Sequence, residues 1–364
     1  MKKNVLLIIF LCLSSVFFAI APKKVPPEEY SWILLEAAQV DFDGGKFGEA
    51  LNLALKAKEN RRLESTYEYA VLEKAITPRQ VTRVGNHFED VILILKERDE
   101  TEAVQIINYY IDLYGTARFD ESIKNLAEWI RQKEVYPEAD YLIGKIYQLE
   151  GEYVTAAKYY DSAFKNSLFL DVPEQKINIL YSQAKLAEDM GDMKQCEEYL
   201  TLIIHNDSHF TDRVLLDSFT RTVKTDKPES INNFFLLYRA ESRLTLNALH
   251  ELCDIYENQK QKKRALECTC LGAVEGFTHI HKSLEERDSD YKYDTFRKFL
   301  SDCAEYPDII RWASDNHVWE FFFEMADRAG SSGSLVFASK MFEDLANACP
   351  DSYWKAKALN RLVK

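Results

Sequence analysis

The sequence predicts an all-α chain assembled from pairs of antiparallel helices, and three observations carry that expectation. Glycine and proline are scarce: 12 and 9 among 364 residues, about half of the ordinary usage of roughly 7% and 5%. A β-sandwich or barrel needs a turn every 8–12 residues or so, which so few turn formers cannot supply. Charged residues make up 29% of the chain and apolar residues 46%, a balance that excludes both disorder and a polytopic membrane protein. Finally, a pattern of small and bulky residues repeats with a period of 34 and keeps its phase with the few glycines.

Taken in chain order, the N-terminus comes first. Lys2 and Lys3 precede an apolar run over residues 5–20, broken only by Ser14 and Ser15. A short basic region before an apolar core is the pattern of a secretory signal, and Ala19 and Ala21 supply small residues for cleavage. Pro22 would then become the first mature residue, where its ring obstructs an extended substrate backbone. The run is only a little short of the ~17–25 residues that span a bilayer. Residues 1–21 are therefore expected to be a signal peptide or an N-terminal membrane anchor. Cys12 follows Leu11, where a lipoprotein signal wants a small residue, so lipidation is not expected. By either route the body of the protein is expected to be exported.

The first repeat frame starts at Ser31 and puts Ala38, Gly45, Phe47, Ala50 and Ala57 at places 8, 15, 17, 20 and 27. A second starts at Ala103, with Phe119, Ser122, Leu126 and Trp129 at places 17, 20, 24 and 27. The clearest copy starts at Pro137, a residue suited to the first position of a helix. It sets Gly144, Tyr147, Gly151, Tyr153, Ala156, Tyr160 and Ala163 at places 8, 11, 15, 17, 20, 24 and 27. After a six-residue insertion a further copy begins at Ile177, with Ala184, Gly191, Cys196, Leu200 and Ile203 in phase. A weaker copy from Leu246 carries Cys253, Tyr256 and Ala265, and a better one from Trp319 carries Ala326, Gly333, Ala338, Phe342 and Pro350. Residues 65–102, 211–245 and 280–318 are helical in pattern but off the motif. Asp351 and Ser352 ahead of Tyr353, Trp354, Ala358 and Leu362 look like a capped final helix that closes the array.

This pattern resembles the tetratricopeptide repeat, in which small residues at places 8 and 20 let paired helices approach and bulky ones fill the space between pairs. The last copy is similar to the variant of that repeat found in bacterial envelope proteins. The resemblance implies a right-handed α-solenoid with a terminal capping helix, and a concave groove lined by places 2, 5, 9 and 12. In the frame from Pro137 these places are Glu138, Tyr141, Lys145 and Gln148; in the frame from Ile177 they are Asn178, Tyr181, Lys185 and Glu188. The frame from Ala103 offers a more apolar set, Val104, Ile107, Ile111 and Tyr114. Tyr141, Lys145, Gln148, Asn178, Tyr181 and Lys185 are thus the candidate partner-binding residues. Two neighbouring Tyr–Lys rows are expected to hold an extended peptide or a carboxylate, unless the lysines simply pair with nearby acids. The expected organisation is an array over residues 22–210, a helical connector over 211–245, and further repeats with the capping helix over 246–364.

Other motifs point to no chemistry. Asp41-Phe-Asp43-Gly-Gly45 lacks the distal ligands of a calcium loop and reads as a turn. His279 and His281, and His205 and His209, are the close histidine pairs, and neither has the helix-face pattern of a zinc hydrolase. Gly330-Ser-Ser-Gly333 is a turn, not a nucleophile elbow, and residues 288–294 read as an exposed acidic loop. Lys260, Lys262, Lys263 and Arg264 read as a solvated turn between helices. The six cysteines beyond residue 12 are irregularly spaced and read mostly as small core residues, with one or two bridges left open. No catalytic, metal or cofactor site is expected.

A net charge of −13 and a pI near 5.2 weigh against a nucleic-acid partner. The expectation is therefore an exported scaffold or adaptor, not an enzyme, that binds a protein or peptide in its groove. It would be periplasmic, or attached to the outer face of a bacterial inner membrane, touching membrane only through the N-terminal segment. A ligand-binding helical solenoid serving an envelope transporter or cell-wall enzyme is the alternative.

Overall fold

The computed structural model describes residues 23–79, 81, 87–205, 212–240 and 245–363. The expectation for residues 1–21 lies outside them. Among the described residues the chain is all-α, without a β-strand, and one isolated bridge pairs His87 with Ser122. No described helix is long and apolar enough to cross a membrane. Two compact units divide the chain, Met1–Pro173 and Glu174–Lys364. The division falls within the six-residue insertion that separates the frames from Pro137 and Ile177.

In the first unit, α1 (Ser31–Asp43) and α2 (Phe47–Ile76) pack as an antiparallel pair. Gly45 makes the turn with φ 75°, a left-handed conformation that penalises any Cβ. The motif Asp41–Gly45 is therefore the expected turn. α2 runs for 30 residues because no glycine or proline follows Gly48 until Pro78. It stops just before that proline, whose ring disfavours helix in the residue ahead of it. The length of α2 lets it support α4 (Thr101–Tyr114), α5 (Ile123–Gln132) and α6 (Pro137–Leu149) in turn. α4 is itself paired with α3 (Phe88–Glu97), and α6 with α7 (Tyr153–Lys165). Leu72, Val91, Leu95, Ile107, Leu126 and Ile130 form one core; Ala38, Ala50, Ala54, Leu142, Ile143 and Ile146 form another.

The frame from Ala103 does not fold as a repeat hairpin. Its two helices, α4 and α5, meet through Tyr110 and Tyr114 against Trp129, but α4 packs mainly on α2 and α3, and α5 mainly on α2. The link between them is the reason: a single-turn helix at Ala117–Phe119 is followed by Asp120 and Glu121, both at positive φ, in place of a tight glycine turn. Val104 and Ile107, expected on the groove surface, are consequently buried in the core, and Ile111 and Tyr114 pack against it.

The second unit is the more regular. α8 (Gln175–Asp189) pairs with α9 (Met193–His205), and α9 packs on α12 (Leu246–Asn258), which pairs with α13 (Lys262–Arg287). α13 packs on α16 (Val318–Ser331), which pairs with α17 (Leu335–Ala348). α18 (Ser352–Leu362) then lies on α17, with Asp351 accepting hydrogen bonds from the amides of Tyr353 and Trp354 at 2.9 and 3.2 Å. This is the expected cap. α10 (Arg213–Lys224) and α11 (Ser230–Leu237), within the stretch expected as a connector, pack on α13 and α17. α14 (Phe296–Cys303) and α15 (Pro307–Asp315) fill the stretch before α16. α13 is buried along most of its length; a Cβ on Gly272 or Gly276 would stand 2.6 Å from Phe321 or Val318. Cys196, Cys253, Cys268, Cys270, Cys303 and Cys349 are all buried and unbridged.

Candidate binding cleft in the first unit

The two predicted Tyr–Lys rows fall in different units. In the first, the Lys145 ammonium lies over the rings of Phe42 and Tyr141, 4.5 and 5.6 Å from their centroids. Burial lowers its pKa, with Asp43 opposing. Gln148 accepts a hydrogen bond from the Tyr160 hydroxyl at 2.8 Å, and Tyr141 packs on the Tyr160 ring. In the second unit, the amide of Ala248 at the start of α12 donates to the Tyr181 hydroxyl at 3.0 Å. Lys185 is exposed and pairs with Glu188 and Asp189 at 2.6 and 3.2 Å, and Asn178 is exposed. Much of the chemistry of these residues is therefore spent within their own unit.

A different set of residues converges in the first unit. Helical spacing puts Arg61, Glu64, Ser65 and Glu68 on one stripe of α2, and Glu102, Gln105, Ile106 and Tyr109 on one stripe of α4. Between the two stripes lies a cleft of about 280 Å³, lined also by Tyr30 and Trp32 at the start of α1 and by Lys133 just past α5. Trp32 and Tyr109 stand at the cleft 55% and 57% exposed. Glu64 holds the α1 end in place: its carboxylate accepts the Ser31 amide at 2.6 Å and the Ser31 hydroxyl at 2.7 Å. A carboxylate from a neighbouring helix thus satisfies the first open amide of α1.

The polar part of the cleft is densely wired. Lys133 is 3% exposed; its ammonium donates to the Tyr114 hydroxyl at 2.7 Å and to Asp171 at 3.1 Å. It also lies 4.9 to 5.7 Å from the ring centroids of Trp129, Tyr114 and Tyr110. Arg61 stacks over Tyr136 at 4.1 Å and pairs with Asp171 at 3.3 Å. Its Nε is buried and has no hydrogen-bond partner among the described residues. Burial lowers the pKa of Lys133, and the nearby Arg61 adds to the effect. Burial alone would raise Asp171, but Lys133 and Arg61 hold it below the usual carboxylate value. Burial pushes Glu68 up, against the hydrogen bond it accepts from Tyr110 at 2.7 Å. The cleft therefore offers exposed aromatic faces above buried charges of both signs.

The second unit has a larger hollow of about 680 Å³, lined by Glu197, Arg213, Arg264 and Glu267. Its charges pair among themselves, Arg264 with Glu197 at 3.4 Å and Arg213 with Glu267 at 3.6 Å. The basic run expected as a solvated turn is of the same kind: Lys260 turns the chain at φ 60° and Lys263 pairs with Asp217 at 3.0 Å. His279 stacks on Trp312, and His281 pairs with Glu285 at 3.2 Å. His205 donates to the Thr201 carbonyl at 2.8 Å, while His209 lies outside the described residues. Among the described residues, one group of metal-ligating type converges, formed by His250, His317 and Glu320.

No protein-family model matches the chain. It is similar to an uncharacterized protein of Treponema pallidum (strain Nichols), 28% identical over 338 residues, which covers 92% of this chain and 90% of that protein. It is also similar to an uncharacterized protein of Borreliella burgdorferi, 22% identical over 264 residues, covering 64% of this chain and 82% of the other.

Proposed function

We propose that the chain is an exported scaffold or adaptor of the bacterial envelope, and that the cleft in its first unit anchors a side chain of a protein or peptide partner. One observation carries this reading: Trp32 and Tyr109, both more than half exposed, frame a cleft with Arg61 and Lys133 among its lining residues. Exposed aromatics around a concave site are the usual anchors of protein recognition. A volume of about 280 Å³ is small beside the roughly 300–1,000 Å³ of sites that enclose a whole small molecule. It suits one or two side chains of a longer segment. The charges that line it pair within the unit, Lys24 with Glu102 and Lys133 and Arg61 with Asp171, so the exposed aromatic faces are its open contact surface. Export rests on the basic and apolar pattern of residues 1–21. Binding, not catalysis, is the activity proposed, with no cofactor and no nucleic acid.

Panning a random peptide library against the protein tests this. Enriched peptides are expected to bind the parent chain and to lose at least about tenfold in affinity for a Trp32→Ala, Tyr109→Ala double variant. The reading fails if no sequence is enriched, or if the double variant binds the enriched peptides as the parent does. Loss on Lys145→Glu with Lys185→Glu, and not on the aromatic changes, would move the site to the Tyr–Lys rows and overturn the cleft.

A further inference from the structure

We infer that His250, His317 and Glu320 form a binding site for a divalent cation of the zinc class. His250 lies on α12, His317 is the residue ahead of α16, and Glu320 is in the first turn of α16. The Nε2 of His250 is 3.0 Å and the Nδ1 of His317 is 3.3 Å from the same carboxylate oxygen, Oε2 of Glu320. All three ligand atoms lie within 4.8 Å of one another. Zinc takes nitrogen and carboxylate ligands at about 2.0–2.2 Å in a tetrahedron, which sets the ligand-to-ligand edges at about 3.3–3.5 Å. Two of the three edges are thus already near the length a bound ion would impose. The two histidine nitrogens lie within 4.8 Å of each other, and a side-chain rotation would bring them to the third edge.

The donor set fits the cation. Two imidazole nitrogens and one carboxylate oxygen are ligands of zinc and its neighbours, and disfavour magnesium and calcium, which want oxygen alone. The imidazole rings stack 3.9 Å apart at 14°, and Phe321 makes an edge contact with His250 at 6.1 Å. Because each nitrogen binds an ion in the plane of its ring, one imidazole has to turn out of the stack for both to reach the same ion. His317 sits at φ 59°, a region that non-glycine residues occupy at some cost in energy, and its Nδ1 faces Glu320. The side chains of His250, His317 and Glu320 remain 24%, 36% and 30% exposed, so an ion has a way in. Asp254 and Glu251 on α12 add negative charge beside His250. Binding would exchange the shared N–H···O contacts for coordination by neutral imidazoles, each proton moving to the other ring nitrogen. Three protein ligands leave one position for water or for a donor from a partner, so the ion would tie α12 to α16 and keep a face open.

Zinc titration of the purified full chain, free of any polyhistidine tag and in competition with a chromophoric chelator, tests the site. One equivalent is expected to bind, and His250→Ala to weaken it by about 100-fold or more, beyond the 10–100-fold effect of losing an outer-shell partner. His317→Asn is the second variant, because asparagine tolerates the left-handed backbone. It should fold normally, and zinc should raise the melting temperature of the parent chain but not of this variant. The site is refuted if the parent chain binds no zinc, or if either variant binds it as tightly as the parent.

Discussion

Gly144 on α6 lies so close beneath the ring of Tyr160 on α7 that a Cβ at residue 144 would stand 2.6 Å from Cδ1 and Cε1 of that ring. Tyr160 is fully buried, and its hydroxyl is tied to Gln148, so the ring cannot easily step aside. Gly144→Ala gains about 1 kcal/mol of helix propensity, but overpacking a closed core costs about 1–3 kcal/mol. A net loss of roughly 1–2 kcal/mol is expected in the urea midpoint. Gly48→Ala is the matching control, since nothing lies within 4 Å of the added methyl; it should stabilise slightly. Equal stability of Gly144→Ala and the parent chain would contradict the packing.

The same pair shows why part of the architecture was legible. A small residue at place 8 and a bulky one at place 24 are two halves of one contact, and their spacing reports it without any tertiary information. Gly45, Gly151, Gly191 and Gly333, all at positive φ, likewise mark turns that only glycine accepts readily. The cleft left no such trace. Arg61, Glu64 and Glu68 on a long helix look like an ordinary solvated stripe, and they gain meaning only because α2 runs on past a repeat turn and meets α4. His250 and His317 are far apart in the chain, so no local spacing pairs them. The frame from Ala103 misled for the opposite reason: its apolar residues keep the repeat phase, but a single-turn helix and two left-handed residues replace a tight turn, and α5 packs mainly on α2.

Glu68 should give the first unit a recognisable pH dependence. Its carboxyl is raised from the ordinary 4.5 mainly by burial, so the folded chain keeps this proton to higher pH than the unfolded one. Between the two values the native state binds more protons, and the Glu68 contribution to stability therefore falls as pH rises. Glu68→Gln keeps an acceptor for Tyr110 and removes the charge. It should be more stable than the parent above that interval, by on the order of 1 kcal/mol, with the advantage shrinking toward pH 4. Urea midpoints followed by tryptophan fluorescence from pH 4 to 8 measure the difference; a constant gap would refute the assignment.

The buried thiols should be inert. Burial raises Cys196 and Cys253 to about 11 and Cys349 to about 12, and the thiolate is the reactive species. Iodoacetamide at pH 8 should leave all six described cysteines unmodified in the native protein and label all six in denaturant, as read by peptide mapping that separates them from Cys12. A native mass two hydrogens short for any pair would mean a disulfide and contradict the unbridged arrangement.

Lys133 and Asp171 are partners of unequal exposure, and that inequality sets the order of stability among their variants. Lys133 is 3% exposed, whereas the Asp171 side chain is 42% exposed and also pairs with Arg61. Asp171→Asn strands a buried ammonium whose remaining polar contact is the Tyr114 hydroxyl; losing one partner of a buried pair costs about 3–5 kcal/mol. Lys133→Met keeps the aliphatic stem against Tyr110, Tyr114 and Trp129 and leaves a carboxylate that water and Arg61 can satisfy, so roughly 1–2 kcal/mol is expected. The double variant should be more stable than Asp171→Asn alone, because it removes the stranded charge. Without Asp171 the Lys133 pKa falls further below its unfolded value, so the folded state binds fewer protons and the deficit should shrink as pH rises. Urea unfolding of the three variants at pH 7 and pH 9.5 reads out both the order and the sign.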